Sequence, residues 1–186
     1  MGIVGVKRGV SMPGARSSST APSDFAAFRA TCAEATPKVY AWIFGRCGDV
    51  TLAEDMTSET LLAAVGRFRD GRGAEVTTAW LMTVARSKLV DHWRRAEREQ
   101  RRLRLAWNGR DEGHVPWSED SSITRALTAL RQLEPAHQAV LTLRYLDNLP
   151  VAEVARALGR SVHATESLLI RAKSTFRRAY AGCSDD

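Results

Sequence analysis

The side chains that most often carry out chemistry are few in this chain and lie far apart. Cys32, Cys47 and Cys183 form no CxxC pair, and the four histidines make no metal-ligand spacing with them. This pattern argues against a zinc site and a disulfide framework, and it favours a reducing compartment. Asp91 and His92 are adjacent, but adjacent helical residues point in different directions, so we interpret them as a capped or solvated pair. With no glycine-rich phosphate loop and no nucleophile elbow, the sequence predicts no catalytic residue, no metal site and no cofactor.

The charge balance fits a polyanion as the partner, but on its own it is equally compatible with a role in solubility. Lys and Arg together number 27 against 21 Asp and Glu, which gives a formal net charge of +6 in 186 residues. Of the basic residues, 23 are Arg, whose planar fork matches phosphate and guanine. A GC-rich genome produces the same bias, and we prefer that explanation of it. No apolar run approaches the length of a membrane-spanning helix.

One segment accounts for this positive charge. Residues 86–110 hold nine Arg or Lys and three Asp or Glu, so the net charge of the whole chain can be placed there. Trp80, Trp93 and Trp107 are interleaved with the charge, and aromatic rings beside cations suit unstacked bases. A solvated helix face is the ordinary explanation of such a charge run, but the tryptophans favour nucleic-acid binding.

Helices must position these residues, because helical periodicity runs along the chain and no alternating strand pattern interrupts it. Residues 1–22 are rich in Gly, Ser, Pro and Ala and are predicted to be a disordered tail. Ser23 or Asp24 can cap a first helix, and Thr36-Pro37 suits the start of a second. The predicted fold class is all-α.

Two further helices are predicted in the N-terminal half. Residues 49–59 carry four acids and no base, and Leu61, Val65 and Phe68 then form an i, i+4, i+7 apolar stripe. Thr77 or Thr78 caps the next helix, which leads into the basic segment. The apolar positions of that helix are Trp80, Leu81, Val84, Ala85 and Leu89.

The C-terminal part contains a helix-turn-helix pattern. A short helix over residues 151–158 is followed by Gly159, which permits a left-handed turn, and Ser161 can cap the longer helix after it. In this motif the N-terminal end of the second helix enters the major groove of DNA. An amphipathic helix of a bundle is the alternative, but the Gly159 turn favours DNA binding. The predicted inward positions are Thr165, Leu169, Ala172 and Phe176, and the opposite stripe holds His163, Ser167, Arg171, Ser174 and Arg178.

Three separated blocks of this sequence resemble the small RNA polymerase sigma factors of the extracytoplasmic-function group. The first is Asp49-x-x-x-Ala53-Glu54-Asp55-Met-Thr-Ser-Glu59-Thr60, and the second is Ala79-Trp80-Leu81-x-x-Val84-Ala85-Arg86-x-x-x-x-Asp91-x-x-Arg94-Arg95. The third is Leu133-x-Pro135-x-x-Gln138-x-Val140-Leu141-x-Leu143-Arg144-Tyr145, which runs into Glu153-Val-Ala155-x-x-Leu158-Gly159-x-Ser161. In their order and spacing, the blocks account for most of the chain after the predicted tail.

The resemblance implies two small helical domains joined by a flexible linker. Sigma domain 2 is expected over residues 23–97, the linker over residues 98–122, and the helix-turn-helix sigma domain 4 over residues 123–182. The implied function is that of an alternative sigma factor, not an enzyme, which binds core RNA polymerase through the β′ clamp and the β flap. Promoter DNA and an anti-sigma factor are the other implied partners. The implied location is the cytoplasm, at the nucleoid or held at the membrane by the anti-sigma factor.

The resemblance also assigns contacts to three sets of residues. Core polymerase binding is implied for Asp49, Ala53, Glu54, Asp55 and Glu59. Binding of the −10 element is implied for Thr77, Thr78, Trp80, Arg86, Ser87, Lys88, Asp91, Arg94 and Arg95, beside a specificity loop over residues 69–78. Binding of the −35 element is implied for Ser161, His163, Ala164, Thr165, Ser167, Arg171 and Arg178. Three positions depart from the family pattern: Ser87, where Asn is common, Pro150, where Ser or Thr is common, and Leu168, where Arg is common.

Two other classes of function are alternatives to a sigma factor. A helix-turn-helix regulator without sigma activity explains the C-terminal half but not residues 49–95, and it predicts tight binding to duplex DNA without polymerase. A gel-shift series with and without core polymerase separates that class from a sigma factor. A helical adaptor that binds only protein predicts that promoter-specific transcription survives the change of Arg86 and Arg94 to Ala.

Overall fold

A computed structural model of the chain describes residues 22–106 and 122–183, and every regular element in these two ranges is helical. The N-terminal domain contains α1 (Pro22–Cys47), α2 (Val50–Arg67) and α3 (Thr78–Ala106). The C-terminal domain contains α4 (Ser122–Arg131), α5 (Pro135–Leu141), α6 (Val151–Leu158) and α7 (Val162–Gly182). The predicted all-α class is confirmed, while the predicted tail lies almost entirely outside the described residues. None of the described helices combines the length and the apolar character that a membrane span requires.

One continuous helix, α1, replaces the two helices predicted for this part of the chain. Pro37 lies inside α1, where it has no backbone N–H to donate to the preceding turn. Just before it, the hydroxyl of Thr36 donates a 2.7 Å hydrogen bond to the carbonyl of Cys32. Around this turn Ala35, Val39 and Ile43 are fully buried. The helix persists because this tertiary packing outweighs the local preference of proline.

The turn from α1 into α2 is determined by two adjacent residues. Gly48 has a φ of +71°, a left-handed conformation that glycine adopts without steric cost. Asp49 then caps α2, because its carboxylate accepts a 2.9 Å hydrogen bond from the backbone N–H of Leu52. The acidic segment therefore begins at the positive end of a helix dipole.

The buried face of α2 differs from the predicted one. The stripe of Leu61, Val65 and Phe68 is only partly buried. Mostly small side chains form the deeper face, and the backbone of α2 lies close to α1 and α3. The residues of that face are Ala53, Met56, Thr57, Thr60 and Ala64.

Helix α3 completes the N-terminal core and extends beyond it. Its N-cap is Thr77, whose hydroxyl accepts a 3.1 Å hydrogen bond from the backbone N–H of Trp80. Leu81, Ala85 and Leu89 are fully buried, as predicted. The helix continues to Ala106, so residues 98–106 of the predicted linker are helical, because the good helix formers Arg, Glu, Gln and Leu dominate there.

The C-terminal domain contains the predicted helix-turn-helix. Helices α4, α5 and α6 all pack on α7, and Val154 and Leu158 of α6 are buried. Gly159 has φ 64° and ψ 39°, and the backbone N–H of Arg160 returns 2.9 Å to the carbonyl of Ala155. A left-handed residue with such a returning bond is a common helix end, and it turns the chain sharply into α7.

The two domains are in contact along α3 and α1. Helix α3 packs against α5 and α6, and α1 packs against α4. The guanidinium of Arg131 lies 3.5 Å from the carbonyl of Phe44. Its side chain passes so close to Gly48 that a Cβ there would lie 2.3 Å from Arg131 Cδ. Glycine at position 48 therefore serves both the turn and the approach of the second domain.

We expect Gly159→Ala to destabilise the C-terminal domain by about 1–2 kcal/mol, because a Cβ makes the left-handed conformation unfavourable. The new Cβ would also meet Arg94 Nη2 at 2.3 Å, but that atom ends a flexible side chain. Gly182→Ala is the matched control: it has no positive φ and no neighbouring atom within 4 Å, so a change below about 0.5 kcal/mol is expected. Urea unfolding followed by circular dichroism measures both variants, and equal losses would contradict this role of Gly159.

Candidate nucleic-acid interface

The outer face of α3 carries a mixed but mainly basic set of side chains. The buried stripe of this helix turns Ser87, Asp91 and Arg95 to the surface at i, i+4 and i+8, and all three are exposed. Arg94 lies beside them, with its Nη1 3.6 Å from Asp91 Oδ1. We call these four residues the outer face of α3. Cationic side chains of this kind can contact phosphates, while Ser87 and Asp91 can hydrogen-bond to bases.

An ion pair connects this part of α3 to α2. Lys88 Nζ lies 2.8 Å from Glu59 Oε2, and this pairing lowers the pKa of the Glu59 carboxyl through a hydrogen bond and charge attraction. The family resemblance implied that Lys88 binds DNA and that Glu59 binds core polymerase. The structure places the two side chains together, so these predicted sites share one continuous surface.

Of the three tryptophans invoked for base stacking, one is suitably placed. Trp80 is partly exposed near the start of α3, with the guanidinium of Arg67 5.6 Å from its ring centroid. Trp93 is only 3% exposed and belongs to the hydrophobic core, so the expectation that it stacks on bases is wrong. Trp107 lies outside the described residues. Helical spacing alone predicts this outcome for Trp93, since it follows Leu89 by one turn on the buried stripe.

The loop before α3 is held by a charged cluster. Glu75 accepts hydrogen bonds from Arg72 at 2.8 and 3.0 Å, and it also pairs with Arg67. These interactions, led by the hydrogen bond from Arg72, lower the pKa of the exposed Glu75 carboxyl and outweigh its slight desolvation. Gly71 supplies the turn with a φ of +75°. The predicted specificity loop therefore has a defined shape next to Trp80.

Arg86 does not lie on the outer face of α3. It precedes Ser87 by one residue, which places it about 100° away around the helix. Its Nε lies 3.2 Å from Oδ2 of Asp147 in the C-terminal domain. The structure thus separates Arg86 from Ser87 and Arg95, with which the sequence had grouped it.

The adjacent Asp91 and His92 do not form an acid–base dyad. Asp91 pairs with Arg94, whereas His92 is half-buried on another side of α3. Burial and then the charge of Arg95 lower the pKa of His92 below its ordinary value, while Asp49 acts in the opposite direction. Within residues 22–106 and 122–183, no three His, Cys, Asp or Glu side chains are grouped to hold a metal ion.

The exposed side of α2 combines acidic and apolar side chains. Asp55, Glu59 and Leu62 lie at i, i+4 and i+7 of one exposed face, and Leu62 is 69% exposed. Glu54 and Asp49 are also exposed. Ala53 is fully buried, which corrects its place in the predicted polymerase-binding set: its small side chain packs in the core. The sequence analysis missed Leu62 as a surface residue, although its spacing from Asp55 and Glu59 could have indicated it.

The start of α7 is exposed as a recognition helix requires. Ser161 caps the helix, with its hydroxyl accepting a 3.2 Å hydrogen bond from the backbone N–H of Ala164. His163 and Arg171 are exposed, and Ser167 is partly exposed. Arg178 is exposed two turns further along.

Two of the inward-pointing residues of α7 bear on the expectations from the family resemblance. Thr165 is fully buried, and its hydroxyl donates a 2.9 Å hydrogen bond to the carbonyl of Ser161. Thr165 is therefore removed from the predicted −35 set, because its side chain stabilises the helix start from inside. Leu168 is 4% exposed, so the departure from the family pattern at this position places an apolar side chain in the core.

Comparison with known proteins agrees with this arrangement of two domains. Sigma-70 region 2 matches residues 33–99, and Sigma-70 region 4 matches residues 123–176. The ECF RNA polymerase sigma factor SigL of Mycobacterium tuberculosis is 32% identical over 148 residues, which cover 78% of this chain and 84% of SigL. The chain belongs to the extracytoplasmic-function family of RNA polymerase sigma factors.

Other members of the family show the same relationship. The ECF RNA polymerase sigma factor BldN of Streptomyces coelicolor is 37% identical over 153 residues, covering 75% of this chain and 55% of BldN. One chain of a solved RsbN–BldN complex aligns with this protein at 30% identity and a TM-score of 0.33. The alignment covers 84% of this protein and 93% of the chain from the complex. The sigma factor RpoE of Bartonella quintana, solved with the anti-sigma factor NepR, aligns with 86% of this chain and 99% of that chain, at 18% identity and a TM-score of 0.49.

The lowered pKa of His92 predicts a dependence of stability on pH. Because the unfolded chain binds the proton more readily, this contribution to stability is complete above the ordinary histidine pKa of about 6.5 and is lost as the pH falls below it. His92→Gln should therefore flatten the decline in the free energy of unfolding between pH 8 and pH 5.5, measured by urea titration. His163→Gln, on the exposed part of α7, is the matched control and should keep the wild-type slope. A decline as steep in His92→Gln as in the wild type would contradict the assignment.

Proposed function

We propose that this sigma factor directs core RNA polymerase to promoters by three surfaces: the exposed face of α2, the outer face of α3 and the N-terminal part of α7. The observation that carries the proposal is the presence of all three in one chain of this family. A helix-turn-helix regulator needs only the last. A protein adaptor needs neither the outer face of α3 nor the recognition helix.

The exposed face of α2 is proposed as the contact with core polymerase. Asp55 and Glu59 supply negative charge on this face. Leu62, about one turn after Glu59, supplies apolar area. An acidic and apolar face suits docking on a basic groove of a large partner, where charge steers encounter and apolar burial stabilises the complex. We expect this groove to be the β′ clamp, and we expect the β flap to contact the C-terminal domain.

The outer face of α3 is proposed to bind the −10 element. In this proposal Arg94 and Arg95 would neutralise phosphates, and Ser87 and Asp91 would hydrogen-bond to bases that have left the stack. Trp80 and the loop held by Glu75 lie at the start of the same helix, where a captured base would meet an aromatic ring. Thr77 acts there mainly as the helix cap.

The N-terminal part of α7 is proposed to bind the −35 element in the major groove. His163, Ala164 and Ser167 would approach base edges, whereas Arg171 and Arg178 would contact phosphates. The Gly159 turn and the Ser161 cap position this helix end. The chain performs no chemistry of its own in this proposal: nucleotidyl transfer belongs to polymerase.

We also propose that an anti-sigma factor binds this chain. Its relative BldN occurs in a complex with RsbN, and RpoE occurs with the anti-sigma factor NepR. Exposed apolar side chains such as Leu62, Tyr145 and Ile170 offer contact area on both domains. A pull-down from native extract that recovers only polymerase subunits would count against this partner.

Run-off transcription with bacterial core polymerase on a pool of upstream fragments tests the proposal. Discrete transcripts should appear only when the chain is added. Arg94→Ala combined with Arg95→Ala should reduce them by about tenfold or more, as expected when phosphate or base contacts are lost, while binding to core polymerase is kept.

Arg29→Ala is the matched control for this variant, because it removes an exposed arginine from α1 of the same domain. It should leave the transcripts unchanged. Full transcription by the double variant would remove the outer face of α3 from the proposal. Failure of the wild-type chain to bind core polymerase would favour the simple DNA-binding regulator.

A further inference from the structure

Three aromatic rings connect the start of α1 to the end of α2. The ring of Phe68, the residue that follows α2, is stacked on the ring of Phe28, with centroids 4.6 Å apart and an interplanar angle of 29°. The ring of Phe25 meets Phe68 edge-on, at 5.8 Å and 62°. Stacked and edge-to-face contacts are the favoured geometries of aromatic pairs. We call Phe25, Phe28 and Phe68 the phenylalanine stack.

The stack is anchored in the N-terminal core on one side only. Phe28 packs against the cluster of buried apolar residues, whereas Phe25 is 53% exposed. Phe68 is half-buried. Because the anchored ring of Phe28 lies behind it, Phe68 cannot move toward α1 without displacing side chains that are already packed.

The loop over residues 69–78 lies directly on the ring of Phe68. A Cβ at Gly73 would lie 2.5 Å from Cδ2 and 3.1 Å from Cε2 of that ring. Gly73 has a φ of −58°, which any L-residue adopts, so its backbone conformation does not require glycine. The requirement is steric, because the backbone of the loop approaches the ring more closely than a side chain permits.

From Gly73 the contacts lead directly to α3. The backbone N–H of Val76 donates a 3.0 Å hydrogen bond to the carbonyl of Gly73, and Val76 is buried. The next residue, Thr77, caps α3 through the backbone N–H of Trp80. The ring of Phe68 therefore limits where the loop can lie relative to Trp80.

The charged cluster of the same loop is a weaker anchor beside a nucleic acid. The side chains of Arg72 and Glu75 are 52% and 46% exposed, and exposed ion pairs contribute little and are screened by salt. Phosphates also compete with Glu75, since carboxylates and phosphates are both strong acceptors for the fork of arginine. The aromatic contacts carry no net charge and are not subject to this competition. The phenylalanine stack is thus the anchor that persists when DNA approaches the loop.

We propose that Phe28 and Phe68 are positioning residues for recognition of the −10 element. The ring of Phe68, supported by Phe28, sets the position of the loop, and glycine at position 73 allows the loop to reach that ring. This inference rests on the proposed function, because it takes the −10 element as the DNA that the loop meets. The three residues act through the loop and do not contact DNA themselves.

Hydrogen exchange of the free, full-length chain tests the contact. Gly73→Ala should increase the exchange rate of the Val76 amide by about fivefold or more, because the new Cβ meets the ring of Phe68 and overpacking is costly. In a chain that already carries Phe68→Ala, the same change should alter that rate by less than about twofold, since no ring remains to be met. Gly66→Ala is the matched control, at an exposed position of α2 with no neighbouring atom within 4 Å, and it should keep the wild-type rate. An unchanged rate in Gly73→Ala, or an equal increase with and without Phe68, would overturn the proposal.

Run-off transcription separates positioning from stability. On a promoter recovered from the pooled fragments, each base pair of the −10 and −35 elements is substituted in turn, and the transcript ratio of the original to the substituted promoter is measured. Gly73→Ala should lower this ratio by about fivefold or more for at least one −10 base pair, the lower end of what a single base pair contributes. The ratios for the −35 element and the binding of core polymerase should stay as in the wild type. Gly66→Ala should keep every ratio.

Phe28→Leu is the second variant, because leucine keeps an apolar side chain against the core but removes the ring that supports Phe68. It should lower the same −10 ratios as Gly73→Ala. Unchanged −10 ratios in both variants, or −10 and −35 ratios that fall together, would overturn the assignment, since the stack would then serve stability alone. Failure of the proposed function would appear in the wild-type chain instead, as the absence of promoter-specific transcripts.

Discussion

Helix α3 has to satisfy three environments at once, and the rest of the structure follows from this constraint. One stripe, with Leu81, Ala85 and Leu89, is buried in the N-terminal core. The outer face, with Ser87 and Arg95, is exposed to solvent. A third side carries Arg86 to the C-terminal domain. Because an α-helix turns about 100° per residue, a few residues are enough to pass from one environment to the next.

This division explains why a charged helix can be both structural and functional. The buried stripe fixes the orientation of the helix, since moving Leu89 or Trp93 out of the core would expose large apolar area and cost several kcal/mol. The outer side chains are therefore held on a rigid support, which reduces the ordering needed when they meet DNA. The pairing of Lys88 with Glu59 extends the same support to α2.

The sequence predicted those features that arise from local chemistry. The turn at Gly159 and the cap at Ser161 each depend on residues within a few positions, so their types were enough to indicate them. The buried stripe of α3 was also clear, because helical periodicity is regular over several turns. Family resemblance supplied the two-domain organisation, to which the matches to Sigma-70 regions 2 and 4 correspond.

Features that depend on distant contacts could not be predicted in this way. Pro37 indicated a helix start, but packing around Val39 and Ile43 keeps α1 continuous. Arg86 and Ser87 were grouped because both fall within one family motif. The partner of Arg86 in the structure is Asp147, which lies 61 residues further along the chain. No periodicity marks such a pair. Ala53 was assigned to binding by resemblance, but its burial shows that it supports the surface from inside. Thr165 was assigned to binding in the same way, although helical periodicity had already indicated its inward position.

The most direct test of the division of α3 is site-specific photo-cross-linking from Ser87 on the outer face. The chain with a photoreactive residue at position 87 would be assembled with core polymerase on a promoter and irradiated. The account predicts a cross-link to DNA at the −10 element in that complex and none to the C-terminal domain in the free chain. A cross-link from position 87 to the C-terminal domain, or to polymerase alone, would contradict it.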